Sequence, residues 1–416
     1  MTKSRKKVRM RRTFNGLGLR LAAIVPLCAI GAVSISDTLA NVVVKSDPEA
    51  AKALAPWDGV VVASAAKIKM TAQPESGEQS EPAMLATRAL QSDPTAVEAL
   101  NVLGSQAQLR GETERAQRLF TQSLALSRRE LRAHLWAIEE AVSRGDIAGA
   151  LKHYDFALRT SKRAPDLLLP TLSSAIEEPL VRSDLLRILN TNPVWLEQFL
   201  DYISQGEINP LASVELLTDE KARQLPVEDN HRTALVDAIA KSQRLEDAWQ
   251  YYSSFRSASR RQSRDARFSA ELERPSIFDW NIESLSGISA GVLKAGDRRI
   301  LEFSASPSVG GAVLAQQQAL LPGQYTFRAV MTIARSARSK SPYWTLKCEG
   351  GAEVWRMPVA RNGENLTEIR SEFTVSADCP SQILLFVIRS TDDISGISGQ
   401  IMSAEIVPSH NLARIE

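Results

Sequence analysis

Two segments of the chain align with each other: GETERAQRLFTQSLA at residues 111–125 and GDIAGALKHYDFALR at residues 145–159. Each segment opens on a glycine and then places a small and a large side chain at matching positions. The matched pairs are Gly111 and Gly145, Ala116 and Ala150, and Phe120 and Tyr154. A repeat of about 34 residues is typical of stacked helical hairpins, in which small residues let two helices approach closely. The pattern predicts a helical repeat, a frame that binds other molecules more often than it transforms them.

Helical periodicity begins near residue 83 and continues to about residue 270. Within residues 83–165, the order of small and large side chains resembles the tetratricopeptide repeat. The residues that carry the resemblance are Gly104, Ala116 and Phe120 in the first unit and Ala150, Tyr154 and Ala157 in the second. The sequence departs from that family at Leu100 and His134, where an aromatic residue is commoner. The resemblance implies an α-solenoid over residues 83–270 whose groove binds one or more protein partners.

The N-terminal segment, residues 1–40, has the composition of an export signal. Residues 1–20 contain eight Lys or Arg and no acidic residue, and the uncharged run LAAIVPLCAIGAVSI follows at residues 21–35. Cleavage after Ala40 would release the protein, whereas a retained span over residues 17–35 would anchor it in the inner membrane. Both alternatives remain open. In either case the basic flank stays in the cytoplasm, so the rest of the chain is expected on the periplasmic side.

Residues 41–82 are expected to form a flexible tether. Short valine runs alternate with prolines at its start, and residues 63–82 are rich in Ala, Ser, Gln, Glu and Lys. Such a composition offers little to bury in a core. The tether would connect the export or anchor segment with the solenoid.

Beyond Pro275 the apolar pattern changes to a period of two, with about nine short candidate strands separated by turn sequences. This pattern predicts an antiparallel β-sandwich over residues 275–410. The stretch LLPGQYTFRAVM at residues 320–331, followed by WTLKC and by a late strand after Cys379, resembles jelly-roll modules of the carbohydrate-binding and galactose-binding type. The whole chain is therefore predicted to be a multidomain α + β protein, with an N-terminal export or anchor helix, the solenoid and the sandwich.

Candidate glycan ligands follow from the resemblance and from strand alternation. In YWTLKC, at residues 343–348, alternation places Tyr343 and Lys347 on the face opposite the core side chains. Trp355 and Arg356 lie on a neighbouring strand. Flat aromatic rings stack on the apolar faces of sugars, so Tyr343, Lys347, Trp355 and Arg356 are the candidate binding residues.

Cysteine usage bears on the cellular compartment. Cys28 lies in the apolar export segment, which leaves Cys348 and Cys379 as the pair in the folded part. A disulfide between two strands of the sandwich is favoured and would indicate an oxidising compartment. The alternatives are two buried free thiols or one exposed reactive thiol.

Charge and motifs bear on the classes of function. The chain has 50 basic and 48 acidic side chains, a net charge of +2, so no global field favours nucleic acid. The sequence contains no phosphate-binding glycine loop, nucleophile elbow or zinc motif. We therefore expect a protein that is not an enzyme and that uses no metal or cofactor.

Five arginines lie between Arg256 and Arg267 against one acidic residue. A solvated final helix is the favoured interpretation, and contact with an acidic polymer or lipid headgroups is the alternative. The leading functional hypothesis is a non-catalytic cell-envelope scaffold that binds protein partners in surface polysaccharide assembly or export. The alternative hypothesis is a carbohydrate-binding module on a helical spacer that binds polysaccharide directly.

Overall fold

Helices come first along the chain and two antiparallel sheets follow, as the change of period predicts. The computed structural model describes residues 4–72, 77, 79–206, 209–283, 285–335, 340–390 and 396–409. The chain divides into two compact units, Met1–Leu169 and Pro170–Glu416. The predicted class, helices followed by an antiparallel sandwich, is confirmed. The solenoid predicted over residues 83–270 is divided between the two units.

The first unit is helical. Its helices are α1 (Ser4–Val43), α2 (Pro48–Leu54), α3 (Gly59–Ala72), α4 (Glu81–Ser92), α5 (Val97–Leu109), α6 (Thr113–Leu126), α7 (Leu131–Ser143) and α8 (Ile147–Thr160), and α9 (Ala164–Ala175) crosses the boundary between the units. Within the unit, α3 packs against α4, α5 against α6 and α7 against α8. Short turns join the helices of the last two pairs, so each of these forms a helical hairpin.

Helix α1 carries an apolar stretch long enough to cross a membrane. The stretch Ile24–Val43 has 20 residues and a mean hydropathy of 1.5, and only 6% of its most apolar window is buried. Val25 and Leu27 are among its exposed side chains. An apolar surface of this size is stable against lipid and unfavourable in water. The predicted span over residues 17–35 begins among side chains that lie outside the described ones, and its residues 24–35 fall within this stretch.

The region predicted to be a tether is folded over its described part. Residues 48–54 and 59–72 form α2 and α3, and Ala51 and Ala55 are fully buried. Ala63 and Ala66 of α3 pack in one cluster with alanines of α4 and α5. The expectation failed because small side chains, which contribute little apolar area individually, let helix backbones approach closely. The composition had indicated only that there was little to bury.

The second unit begins with short helices. They are α10 (Pro179–Leu189), α11 (Leu196–Ser204), α12 (Pro210–Thr218), a 3-10 helix (Glu220–Gln224), α13 (Asp229–Lys241) and α14 (Leu245–Phe255). Prolines stand in the first turn of α10 and α12, where the missing N–H costs little.

In the described part of the chain, ten strands form two five-stranded antiparallel sheets. They are β1 (Asn281–Ile282), β2 (Ile288–Ala295), β3 (Arg298–Ala305), β4 (Gly311–Gln318), β5 (Gly323–Arg335), β6 (Tyr343–Cys348), β7 (Glu353–Pro358), β8 (Gly363–Val375), β9 (Gln382–Ile388) and β10 (Ile397–Pro408). The first sheet has the order β1-β4-β9-β6-β7 and the second the order β2-β3-β10-β5-β8. Their facing side chains share one core, in which Phe327, Trp344 and Phe386 are fully buried. The centroids of both phenylalanine rings are 5.0 Å from the centre of the Trp344 ring.

The last helical hairpin is joined to the start of the sandwich by a buried cluster. Phe278, just before β1, packs among the apolar side chains of α13 and α14. The Tyr252 hydroxyl donates a 2.7 Å hydrogen bond to Asp279, which is 1% exposed and also pairs with Arg264. Burial, assisted by the Asp279 carboxylate, raises the pKa of Tyr252, so its hydroxyl stays protonated as the donor. These contacts cross the boundary that the sequence had placed at residues 270–275.

The arginine-rich stretch differs from its prediction as a helix. Residues 257–275 are irregular, and three of the five arginines are ion-paired: Arg256 with Asp229, Arg260 with Glu246 and Arg264 with Asp279. The carboxylates come from outside the stretch, so a count of local charges could not find them.

Candidate functional site

The outer face of the first sheet carries most of the predicted glycan ligands. On β6, Trp344 and Leu346 are fully buried in the core, whereas Tyr343 and Lys347 are partly exposed on the opposite face. Thr345 lies between these two on the outer face but is fully buried. Trp344 and Leu346 therefore alternate with Tyr343 and Lys347 along β6, and the Thr345 hydroxyl donates to Glu353 Oε2 and to the Trp355 carbonyl of β7.

Three residues of this face form a connected patch, which we call the Tyr343 patch: Tyr343, Glu353 and Arg356. The Arg356 guanidinium lies 4.4 Å from the centroid of the Tyr343 ring. Glu353 Oε2 accepts hydrogen bonds from Arg356 Nε at 2.8 Å and from the Thr345 hydroxyl at 3.2 Å. The cation over the ring and the carboxylate beside it hold each other in place. The patch therefore combines a partly exposed aromatic ring, one face of which is covered by Arg356, with a paired cation and carboxylate.

The charges of the patch stabilise each other. The hydrogen bonds from Arg356 hold the pKa of Glu353 below its usual range, and the hydrogen bond to Glu353 raises the pKa of Arg356. Lys347 stands opposite Glu353 in the pairing of β6 with β7, and its charge also lowers the pKa of Glu353. Both members of the Glu353–Arg356 pair are therefore charged at neutral pH.

Trp355 does not belong to this surface. Its side chain is 9% exposed, and its ring lies 5.1 Å from Phe327 and 5.4 Å from Phe373. Its Nε1 donates a 2.9 Å hydrogen bond to the Ser371 hydroxyl. The pairing of Trp355 with Leu346 across β6 and β7 places both side chains in the core. The structure thus brings Tyr343, Lys347 and Arg356 together and removes Trp355 from the candidate site.

Beside the patch lies an apolar strip that the sequence analysis did not identify. Ile383, Leu385 and Val387 of β9 are partly exposed, while the residues between them point into the core. Val387 pairs with Tyr343 and Leu385 pairs with Thr345, so the strip adjoins the patch directly. The sequence QILLFVI places apolar side chains on both faces of the strand, so it contains the strip but does not show which face is exposed. Only the sheet order decides that β9 lies beside β6.

The predicted disulfide is present. Cys348 ends β6, and Cys379 precedes β9, with 5.4 Å between their Cα atoms. A disulfide indicates an oxidising compartment. It fixes the end of β6 to the turn that leads into β9, at the margin of the outer face described above.

The repeat residues occupy equivalent places in two hairpins. Gly111 and Gly145 have φ values of +76° and +71°, which favour glycine, and each ends a helix with the same cap. In the first cap the N–H of Glu112 donates to the carbonyl of Ala107, and in the second the N–H of Asp146 donates to the carbonyl of Ala141, both at 2.9 Å. The repeat seen in the sequence is therefore also a repeat of backbone geometry.

The small and large residues of the repeat pack as their sizes predict. The matched side chains are all buried: Ala116 at 0%, Phe120 at 2%, Ala150 at 4%, Tyr154 at 8% and Ala157 at 0% exposure. A Cβ atom added to Gly104 would lie 2.9 Å from the Phe120 ring, so that glycine makes room for the aromatic. Phe120 also stacks on Trp136 of α7, which joins one hairpin to the next.

A buried polar contact links the helices at the other end of the first repeat. The Ser123 hydroxyl donates to the side-chain oxygen of Asn101 at 2.7 Å, and the Asn101 amide donates to Glu130 at 2.9 Å. Burial raises the pKa of Glu130, and the charge of Lys67 opposes that rise. This contact orients α5, α6 and the start of α7.

Two histidines meet between α7 and α8. His134 Nδ1 and His153 Nδ1 are 3.1 Å apart, and His134 Nε2 lies 2.9 Å from the Arg128 carbonyl. A carbonyl only accepts, so His134 carries its proton on Nε2 and accepts from His153 at Nδ1. Burial lowers the pKa of both rings. Among the described residues, no group of three or more His, Cys, Asp or Glu is placed to hold a metal ion.

No protein-family model matches this sequence, and no curated protein sequence matches it. Solved structures give partial similarities. A carbohydrate-binding module of family 61 in complex with β-1,4-galactotriose is 16% identical, with 31% of this chain and 88% of that chain covered and a TM-score of 0.24. The CBM22-1 xylan-binding domain of Xyn10C from Paenibacillus barcinonensis is 12% identical, with 31% and 84% covered and a TM-score of 0.23.

A third similarity is to an arabinose-bound α-L-arabinofuranosidase, 12% identical, with 31% of this chain covered and a TM-score of 0.25. The chain spans 23% of the length of that enzyme. Each match is a similarity in the path of the chain. The galactotriose, xylan and arabinose are ligands of those proteins.

Proposed function

We propose that the C-terminal sandwich binds a polysaccharide on the outer face of its first sheet. The observation that carries the proposal is the Tyr343 patch, an aromatic ring with a fixed cation and carboxylate, beside the apolar strip of β9. A sugar ring has an apolar face, which packs on flat apolar surface, and a rim of hydroxyls, which needs charged or polar partners. The patch and the strip offer both kinds of surface side by side.

The N-terminal helix and the disulfide support a location on the periplasmic side of the inner membrane. Helix α1 contains an apolar stretch of membrane-spanning length, and positive charge beside such a stretch resists translocation, so its basic flank would stay on the cytoplasmic side. The sandwich would then lie on the periplasmic side of the inner membrane, where polysaccharides pass during export. The Cys348–Cys379 disulfide is compatible with that compartment.

The helical unit supports a second function, the binding of a protein partner by tetratricopeptide-like repeats. The observation that favours it is the glycine cap repeated at Gly111 and Gly145, which ends the first helix of two successive hairpins in the same way, and stacked hairpins of this kind bind partners in a groove. The two functions are compatible, because a scaffold that holds an assembly or export protein close to the polymer would need both surfaces.

Polysaccharide binding is tested with the full chain in detergent micelles on an array of neutral and acidic glycans, followed by titration calorimetry with the strongest neutral ligand. We expect Tyr343→Ala to weaken binding at least about tenfold, which corresponds to about 1.4 kcal/mol. Tyr343→Phe keeps the ring and should bind within about twofold of the parent protein. Arg370→Ala, an exposed substitution on β8 of the other sheet, is the control. Failure to bind any neutral glycan, or undiminished binding of the neutral ligand by Tyr343→Ala, would refute the proposal.

A further inference from the structure

The irregular segment before the sandwich takes the place of a strand in the second sheet. β10 pairs with β3 only through residues 397–401, which leaves its second half without that neighbour. There the N–H of Ser263 donates to the carbonyl of Ile406 at 3.0 Å, and the N–H of Ala404 donates to the carbonyl of Ala266 at 2.9 Å. Residues 263–266 therefore continue the position of β3 along β10.

The segment then turns away from the sheet in a fixed way. Asp265 and Phe268 have φ values of +53° and +54°, and the Asp265 carboxylate accepts from the N–H of Ser269 at 2.7 Å. Phe268 is 2% exposed and packs in the sandwich core, whereas Arg267 and Ser269 on either side of it are exposed. The buried Phe268 thus holds Arg267 at the surface of the second sheet.

A cleft of about 560 Å³ lies between this segment and the β2–β3 hairpin, with a floor formed by β5 and β10. Six charged side chains line it, four basic and two acidic: Arg267, Lys294, Arg298, Arg299, Glu271 and Asp297. Its volume is that of a small-molecule site.

The charges of this basic cleft are unbalanced. Glu271 is engaged by Arg299 at 2.6 Å, which leaves Asp297 as the one carboxylate facing three further cations. The side chains of Arg267, Lys294 and Arg298 make no ion pair or hydrogen bond with another residue in the described part of the chain. Three earlier arginines of the same segment, by contrast, are all paired with carboxylates. The cleft therefore carries a net excess of positive charge.

We propose that the basic cleft binds the carboxylate groups of an acidic polysaccharide. Guanidinium groups recognise carboxylates through two parallel hydrogen bonds, and Arg267 and Arg298 come from opposite walls of the cleft. The cations line a concave site rather than projecting from a flat surface, which suits a chain of sugar rings better than a membrane. The proposal rests on the proposed function in taking the ligand to be a polysaccharide, and it goes beyond that function because the cleft belongs to the other sheet and shares no residue with the Tyr343 patch.

The test uses the full chain in detergent micelles and titration with polygalacturonate as the acidic probe. We expect the double variant Arg267→Ala, Arg298→Ala to bind polygalacturonate at least about tenfold more weakly, and parent binding to weaken as salt rises. The control removes the same charge from exposed arginines of the sandwich outside the cleft, Arg361→Ala with Arg370→Ala. The double variant with lysine at both cleft positions should recover part of the affinity, which shows that the charge acts directly. Thermal unfolding of each variant verifies that it is folded.

Undiminished binding by the cleft variant, or an equal loss in the control, would overturn the proposal. So would a protein that ignores polygalacturonate but binds phosphatidylglycerol vesicles through the same arginines. The two sites are distinguished by Tyr343→Ala, which should leave polygalacturonate binding unchanged if the cleft is its site. Neutral-glycan binding that depends on Tyr343, with no acidic-glycan binding, would reject the cleft and retain the Tyr343 patch.

Discussion

Removal of the Cys348–Cys379 disulfide should destabilise the sandwich by a predictable amount. The two cysteines have a sequence separation of 31, and the loop-closure entropy of a cross-link of that length corresponds to about 3.7 kcal/mol at 25 °C. Cys379 is 2% exposed, and alanine at both positions leaves no unpaired thiol inside the sandwich. We therefore expect Cys348→Ala with Cys379→Ala to lower the free energy of unfolding of the second unit by about 3 to 4 kcal/mol. For a unit of this size the loss corresponds to a fall in Tm of roughly 6 to 16 °C.

Hydrogen exchange followed by mass spectrometry locates this loss. Peptides from β6, β9 and the rest of the sandwich core should exchange faster in the double variant, while peptides from α5 to α8 in the first unit should not change. Cys28→Ala is the matched control, because that thiol is exposed on α1 and forms no disulfide. An unfolding free energy that falls by less than about 1 kcal/mol would refute the loop-closure argument. Equal acceleration in the first unit would refute the division of the chain into independent compact units.

Two further predictions concern a buried hydrogen bond of Tyr252 and the protonation of two buried histidines. Tyr252→Phe removes the donor to Asp279 and should lower the free energy of unfolding of the second unit by about 1 to 3 kcal/mol in chemical denaturation. Tyr251→Phe is the control on the same helix, because its hydroxyl has no hydrogen-bond partner among the described residues, and it should lower the free energy of unfolding less than half as much. Burial raises the pKa of Tyr251 to about 12, so neither hydroxyl ionises in the assay range. His134 and His153 have pKa values lowered by burial, so the stability they contribute is present above the unfolded pKa of about 6.5 and is lost as pH falls below it. Hydrogen exchange of the α7 and α8 amides, corrected for the intrinsic effect of pH on exchange, should accelerate as pH falls through the unfolded pKa. Replacement of both histidines by glutamine should remove most of this pH dependence. An unchanged pH dependence in that variant would contradict the assignment of the effect to the two histidines.

The helical part of the fold was predictable where large and small residues alternate. The cap at Gly111 and Gly145, the fit of Phe120 against Gly104, and the burial of Tyr154 all follow from one repeated pattern. Helices α2 and α3 were missed because their buried residues are mainly alanine, whose burial depends on how closely neighbouring helices approach. That closeness is a property of tertiary packing and leaves no periodic signal of large apolar residues.

The candidate site was predictable in part. Alternation along β6 correctly placed Tyr343 and Lys347 on the outer face, because its inner residues include Trp344, which is too large for any place but the core. Trp355 was misplaced because one strand alone does not state which of its faces points inward. The register of β7 against β6 decides that question.

The basic cleft could not be predicted from the sequence, because its charge depends on ion pairs between residues that are far apart in the chain. The sequence shows five arginines in one stretch, but the carboxylates that pair with three of them come from α13, α14 and the segment before β1. Long-range pairing therefore separates the structural arginines from Arg267, which remains available at the surface. Composition alone predicts the same role for all five arginines.

The central claim is that the first sheet of the sandwich binds sugar at the Tyr343 patch. A crystal structure of the protein with the neutral oligosaccharide that binds most strongly on the glycan array tests it most directly. The account predicts a sugar ring in van der Waals contact with Tyr343 or with the strip formed by Ile383, Leu385 and Val387, and hydroxyls hydrogen-bonded to Glu353 or Arg356. An oligosaccharide bound elsewhere, with the outer face of the first sheet empty, would contradict the account.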